Sequence, residues 1–271
     1  MKISLITVCW NSAATIRTAM DSVWRQTGVE IEYLVIDGGS TDGTVEIVKE
    51  YAVRAEQEKR GDFSFRWISE KDNGMYDAIN KGIRMATGDV VGILNADDVL
   101  DGDDVLAKVA AQFEALERKA GHPLEGLYGN VRFVRELGGK TVRVCFARWW
   151  KPWMLQWGYM PPHPAIFIRR ACFAQWGGYV GDRKAYKIAA DYELLIRYFR
   201  VHRLKARYMK VCTTVMRMGG MSTKDVDARK RLNREIIKGN RANGYFCCWP
   251  MLLPKYAVKI WEVILPRLGL M

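Results

Sequence analysis

The chain has too few of several residue patterns for whole classes of function to apply. It has three histidines and six scattered cysteines, and although Cys247 and Cys248 are adjacent there is no Cys-x-x-Cys spacing. A zinc site is therefore excluded, and free thiols in a reducing compartment are expected. The start, Met1-Lys2-Ile3-Ser4-Leu5-Ile6-Thr7-Val8, offers one basic residue and a short apolar run before Asn11. That is too little for a signal peptide or a membrane span, so a cytoplasmic start is expected. After the first strand-like run comes Val8-Cys9-Trp10-Asn11 rather than Gly-x-Gly-x-x-Gly, which argues against a nicotinamide enzyme. Nor does Trp10-Asn11-Ser12 offer the glycine-rich, arginine- and lysine-bearing loop of a nucleotidyltransferase. There is no internal repeat and no low-complexity linker.

What is present is enough apolar material for a full core: 49% of 271 residues are hydrophobic, which suits one α/β domain with a C-terminal extension. Charge is unevenly placed. Residues 1–100 carry 11 Lys and Arg against 16 Asp and Glu, whereas the remainder carries 31 against 14. A basic second half suits nucleic acid, anionic lipid or a phosphorylated acceptor. Nucleic acid is disfavoured by the acidic first half, which would repel a phosphate backbone.

Strand-like runs at 3–8, 33–36, 65–68 and 90–94 alternate with stretches of helical period such as Ile16, Met20, Val23, Trp24 and Ile79, Gly82, Ile83, Ala86. Strand-then-helix repetition predicts a parallel, doubly wound sheet, whose ligands collect at the carboxyl ends of the strands. Here those ends read Thr7 to Asn11, Asp37-Gly38-Gly39-Ser40, Glu70-Lys71-Asp72 and Asn95-Ala96-Asp97-Asp98. A helix is predicted over 103–119, then extended runs at 127–134 and 141–146, a helix near 189–199 and a strand near 208–216. Residues 1–100 are expected to form one half of a domain, with its ligand at the strand ends, and 101–223 the acceptor-side, catalytic half of the same domain. Residues 224–271 would be a basic, tryptophan-rich extension. Its last part, 245–270, mixes Trp249 and Trp261 with Lys255, Lys259 and Arg267 and is broken by Pro250, Pro254 and Pro266. It suits a segment lying in the lipid headgroup region; a helix packed on the domain is the other reading.

In the 37–44 segment, glycines let backbone approach a ligand and a strand-end carboxylate can accept hydrogen bonds from a base or ribose. Asp42 also suits a helix N-cap, with the helix at 45–52. The 95–98 cluster offers hard oxygen ligands for Mg2+ or Mn2+ bridging to a nucleotide's phosphates, and such a cation stabilises a departing nucleoside diphosphate.

Over its first hundred residues the chain resembles the family 2 glycosyltransferases of the GT-A fold. The resemblance rests on Thr7 to Asn11, the 37–44 loop, the run from Glu70 to Gly82, Ala86-Thr87-Gly88-Asp89 and Leu94-Asn95-Ala96-Asp97-Asp98. It is similar to enzymes that build bacterial surface polysaccharides. The resemblance implies an α/β GT-A nucleotide-diphospho-sugar transferase fold, with a mostly parallel central sheet flanked by helices and a C-terminal helical extension. It implies a metal-dependent inverting transfer from a nucleotide diphosphate sugar, a UDP-sugar by family frequency, to a glycan acceptor. A lipid-linked acceptor, a place on the inner face of the cell membrane and contact with an anionic surface go with that reading.

Carried over residue by residue, Thr7, Val8, Asn11, Asp37, Gly39, Ser40, Asp72, Lys81, Asn95 and Ala96 contact the nucleotide. Asp97 holds the metal, and Asn95 stands where the family has the first acid of its Asp-x-Asp motif. Asp191 in Ala189-Ala190-Asp191-Tyr192-Glu193 resembles the general base, with Glu193 as fallback; an acid in a helix's first turn is the other reading. His163, within Pro161-Pro162-His163-Pro164, and Asp98 are candidates for the acceptor or a phosphate. Residues 219–223 resemble a loop that orders over the donor. Arg229, Lys230, Arg231 and Arg234 suit either a pyrophosphate or a solvated helix face. A catalytically silent nucleotide- or lipid-binding module is the alternative that Asn95 leaves open, beside the nucleotidyltransferase.

Overall fold

The computed structural model describes residues 1–218 and 226–267. The loop expected to order over the donor, 219–223, lies outside them. The first half follows the strand-helix alternation: β1 (Lys2–Cys9), α1 (Ile16–Trp24), β2 (Glu30–Asp37), α2 (Thr44–Glu58), β3 (Phe63–Ser69), α3 (Met75–Met85) and β4 (Val90–Ile93). Strands β3, β2, β1 and β4 lie side by side in parallel. Their burial explains their sequences. β1 and β2 are covered on both faces and are largely apolar, broken only by buried polar residues such as Ser4, Thr7 and Glu32, whereas β3, at the sheet edge, alternates between exposed and half-buried positions.

The second half extends the same sheet. It contributes β5 (Val99–Leu100), α4 (Val105–Ala120), β6 (Gly126–Val134), β7 (Thr141–Cys145), β8 (Ile166–Arg169), α5 (Arg170–Trp176), α6 (Ala190–Ile196) and β9 (Ala206–Arg217). The nine strands run β3-β2-β1-β4-β8-β6-β9-β5, with β7 beside β6. The sheet is mixed rather than mostly parallel: β4–β8, β8–β6, β6–β7 and β9–β5 are antiparallel pairings. Antiparallel β8 matters most. It begins where β4 ends, so the segment entering it, which holds His163, arrives at the same edge as Asn95 to Asp98.

Side chains divide by strand parity into two cores. Ile6, Val8, Leu34 and Ile36 pack with α3 and α6, while Ile3, Leu5, Tyr33 and Val35 pack with α1, α2 and α4. Two glycines permit the close approaches. A Cβ on Gly82 of α3 would stand 2.5 Å from Ile6 Cγ2, and one on Gly92 of β4 would stand 2.5 Å from a Phe167 ring carbon. Gly92→Ala is therefore expected to destabilise the fold by about 2 kcal/mol, an over-packing cost, measurable as a lower urea midpoint with unchanged slope.

Beyond β9, α7 (Val226–Ala242) packs against α6 and α8 (Pro254–Arg267) against β7. The tail is thus a packed helix. It is not sealed, for Leu253, Ile260, Trp261 and Ile264 remain exposed. No helix among the described residues is long and apolar enough to cross a membrane. All six cysteines are free thiols.

Candidate active site

Two loops form the first wall. At the end of β1, Asn11 takes a left-handed backbone, φ 48°, and Oδ1 accepts from Thr41 N–H (3.0 Å) while its own N–H donates to Ser40 Oγ (2.7 Å). Ser12 N–H donates to Thr44 Oγ1, and Ala13 N–H to Asp42. The β1–α1 and β2–α2 connections are thereby laced together. Asp42 Oδ1 accepts from Thr44 N–H at 3.1 Å. The capping acid therefore sits one residue ahead of the cap position itself, Gly43, whose φ of 94° suits glycine.

Asp37 is wholly buried. Its carboxylate accepts from the N–H groups of Gly39 (3.0 Å) and Ser40 (2.9 Å), from the hydroxyls of Ser69 (2.7 Å) and Ser40, and from the Cys9 thiol. Burial alone would raise its pKa, but these hydrogen bonds outweigh it and hold the carboxyl below its ordinary value. Thr7 is likewise fully buried, its Oγ1 accepting from Tyr33. Both side chains shape the wall from behind and present no surface to a nucleotide. Val8 is buried as well. The groups left at the surface are Asn11, Gly39, Ser40 and the indole of Trp10, 67% exposed. A Cβ placed on Gly38 would meet Asp72 Oδ2 at 2.5 Å and Trp10 Cδ1 at 3.5 Å, so Trp10 and Asp72 flank one spot. Sequence reasoning gave Trp10 no role, because nothing in a strand-end tryptophan announces exposure.

The run from Glu70 to Gly82 is the brace between the two halves. Lys81 on α3 reaches back to the Lys71 carbonyl (2.9 Å) and to Glu70 (2.8 Å), fixing the loop that holds Asp72. Asn80 donates to the Tyr179 carbonyl and accepts from Tyr179 N–H, both at 2.8 Å. Tyr76 donates to the Ile188 carbonyl (2.5 Å) and Asp191 Oδ1 (3.2 Å).

At the end of β4, Asp97 is exposed, Asn95 half-buried and Asp98 buried. Asn95 Nδ2 donates to Asp98 Oδ2 at 2.8 Å, and the amide oxygen of Asn95 meets no donor among the described residues. Burial first, then the neighbouring Asp97 charge, pushes Asp98 up to about 7. Its carboxylate serves Asn95, so Asp98 supports the loop from within rather than facing a ligand. Arg217, at the end of β9, donates to the Asp97 carbonyl at 3.3 Å. An exposed carboxylate, an amide oxygen with no donor among the described residues and a repulsion between adjacent acids that Arg217 and Asn95 relieve only in part fit a hard divalent cation. No group of three or more acidic, His or Cys side chains is gathered there among the described residues, so water and phosphate oxygens would complete the shell.

The third component faces these. Asp191 lies in the first turn of α6 and Oδ1 also accepts from Tyr192 N–H at 2.7 Å. His163 Nε2 shares a 2.6 Å hydrogen bond with the Tyr179 hydroxyl, and Tyr179 stacks on Tyr76. Burial raises the Asp191 pKa, partly opposed by His163, and burial lowers that of His163, partly opposed by Asp191. Neutral histidine beside a carboxyl of raised basicity is thus the arrangement at neutral pH. Glu193 is committed elsewhere, to Arg197 (3.2 Å) and Asn243 (3.2 Å). Arg229, Lys230, Arg231 and Arg234 lie on α7, where no ion pair holds them among the described residues.

Besides Trp10, the site has a further contributor that the sequence did not signal. α6 begins at an alanine N-cap with no side-chain cap. Its entry is held instead by Glu235 of α7, whose carboxylate accepts from the N–H groups of Lys187 (3.0 Å), Ile188 (2.9 Å) and Ala189 (2.8 Å).

The fold is that of the GT-A glycosyltransferases. S. aureus TarS in complex with UDP-GlcNAc superposes with TM-score 0.61 at 17% identity, covering 88% of this chain and 67% of that one. A mannosyltransferase from Pyrobaculum calidifontis, in complex with GDP-Man and Mn2+, gives 0.59 at 18% identity over 99% of this chain and 71% of its own. At these identities the likeness is one of fold. In sequence, residues 4–195 match the glycosyl transferase family 2 model. The chain is 34% identical over 246 residues to a PGL/p-HBAD biosynthesis glycosyltransferase of Mycobacterium tuberculosis, covering 88% of this chain and 86% of the relative. It is 34% identical over 196 residues to an uncharacterized glycosyltransferase of the same species, covering 72% of this chain and 68% of that protein. The chain belongs to glycosyl transferase family 2 and is a glycosyltransferase.

Proposed function

We propose that the protein transfers a sugar, with inversion, from a nucleotide diphosphate sugar to a hydroxyl of a lipid-linked glycan, in contact with an anionic membrane surface. The observation that carries the reading is the convergence of three chemically distinct groups on one sheet edge. These are the Trp10–Asp72 wall, the Asn95–Asp97 oxygens and the Asp191–His163 pair. A solved relative in fold binds UDP-GlcNAc and another GDP-Man with Mn2+, which supports a donor of that class.

In this reading Trp10 offers a face for the base, with Asp72 beside it to accept from a ring or ribose donor. Asn11, Gly39 and Ser40 supply the surface of the wall, which Asp37 and Thr7 hold in shape. Asp97 and the Asn95 amide oxygen hold a Mn2+ or Mg2+ ion, which when bound supplies charge for the departing diphosphate. Arg217 and Lys81 add fixed positive charge nearby. Asp191 removes the acceptor hydroxyl's proton as that oxygen attacks the anomeric carbon from the face opposite the leaving group. A single base suffices for inversion, and Glu193, spent on Arg197, is not needed.

A silent binding module has less support. A carboxyl raised in basicity beside a neutral histidine is costly to maintain without proton transfer to perform. Membrane contact is supported by exposed Trp149, Trp153, Trp249 and Trp261 within the basic half, since tryptophan beside cations favours the headgroup region.

Calorimetric titration with UDP, GDP and dTDP, each with Mn2+ and again with chelator, tests the donor assignment. One nucleotide should bind in a metal-dependent way, and Asp97→Ala should lower its affinity by about tenfold or more. No binding to any of the three would sink the donor reading.

A further inference from the structure

On the flank of the second half, the segment from Phe146 to Tyr159 and one face of α8 enclose a cavity of about 550 Å3. Its wall is aromatic: Trp149, Trp150, Trp153, Trp157 and Trp261, with Val258 between. Only two lining residues carry charge, Lys255 and Glu262. A cavity with so few polar partners holds water poorly and suits an apolar occupant. Among the described residues nothing fills or covers it, since Trp149, Trp153 and Trp261 are 73%, 54% and 59% exposed.

The charges at this cavity are unbalanced. Glu262 is neutralised by Arg143 at 2.5 Å and accepts from Tyr159. Lys255 has no carboxylate within ion-pair distance among the described residues; its ammonium donates to Asn233 Oδ1. It is folded down beside Gly158, where a Cβ would come within 2.9 Å of its Cδ. Lys259, one turn further along α8 and just outside the lining, makes no ion pair among the described residues; burial and Arg143 work against its charge, and Glu262, already paired with Arg143, offsets them only in part. Burial and the Lys259 charge push Lys255 down to about 8, as expected for cations lacking a counter-ion. Apolar walls with unpaired cations beside them are complementary to an amphiphile with one hydrocarbon chain and an anionic head.

We infer that this cavity binds the hydrocarbon chain of a lipid phosphate, whose phosphate is met by Lys255 and Lys259. The wall is tied to the catalytic helix, because the Tyr192 hydroxyl, next to Asp191, donates to the Leu155 carbonyl in the wall segment. The occupant is therefore the lipid part of the acceptor, which rests on the lipid-linked acceptor proposed above.

The test titrates the full-length chain with farnesyl phosphate, farnesol and inorganic phosphate, following tryptophan fluorescence below the micellar range. Farnesyl phosphate should bind saturably, about tenfold tighter than farnesol, and inorganic phosphate should leave the signal unchanged. Val258→Trp, which fills the cavity, should weaken farnesyl phosphate binding by about tenfold or more with nucleotide binding intact. Lys259→Gln should bring farnesyl phosphate toward the affinity of farnesol, and it decides the matter if Val258→Trp loses nucleotide binding through misfolding. Absence of saturable binding, or equal binding in wild type and both variants, would overturn the assignment. Lipid binding without nucleotide binding would sink the donor reading and leave this site standing; the converse would sink this site alone.

Discussion

Asp191→Asn is expected to lower kcat by about a thousandfold, the scale of losing a general base, while leaving nucleotide titration unchanged. The substitution keeps the volume and the hydrogen bond accepted from Tyr192, so the fold has no reason to suffer. The pH profile separates a catalytic from a structural part. Burial raises the Asp191 pKa, and a base works only when deprotonated, so wild-type kcat should fall as pH drops through a value above that of an ordinary carboxylate. In Asp191→Asn the residual rate should lose that acidic limb. A variant that retains the limb, or most of kcat, would move the base elsewhere. The basic His163 partner gives a second handle: His163→Ala removes the charge interaction that opposes the shift, so the limb should move up, not down.

Glu235→Ala should cost both stability and rate. Three backbone N–H groups at the entry to α6 lose a charged acceptor, and the alanine cap offers no replacement. Losing hydrogen bonds to a charged group at a buried site costs about 2 to 4 kcal/mol, which a lowered thermal midpoint would report. Because Asp191 follows by two residues, displacement of this turn should also reduce kcat by about a hundredfold, the scale of a misplacement near 1 Å. The KM for the donor should hold, since the donor wall lies on the other half. Glu235→Gln keeps one accepting oxygen and should recover part of the loss. Equal losses of kcat and donor affinity would mean general unfolding and would remove Glu235 from the positioning role.

The parts of the molecule legible in sequence are those governed by local pattern. Of the four parallel strands, β1, β2 and β4 stand out because burial on both faces makes them largely apolar, β3 because its apolar residues alternate as an edge strand's do, and the helices between them because one apolar stripe repeats every turn. The segments after those strands, from Asn11 through Asp97, carry the recognisable motifs, and the doubly wound topology puts them at one edge whatever else the chain does. The second half was read less well. β8 is three apolar residues and an arginine after a proline-rich segment, too short for any period to distinguish strand from helix, and β5 has two residues. Their existence depends on partners distant in sequence.

What the sequence determined by itself was the strand-helix order of the first half and the gathering of polar and acidic residues at its strand ends, because spacing and side-chain chemistry suffice for these. Tertiary structure alone decided which carboxylates remain available. Asp37, Asp98 and Glu193 are consumed by hydrogen bonds and an ion pair from their own surroundings, whereas Asp97 and Asp191 are left with capacity. It also decided that Tyr76 hydrogen-bonds Asp191, that His163 lies close enough to act on its charge, and that five tryptophans and Lys255 line one cavity. The reason is physical. A side chain's chemistry is written in the sequence, but whether it has a free lone pair, a neighbouring charge or an apolar wall depends on what long-range packing brings against it.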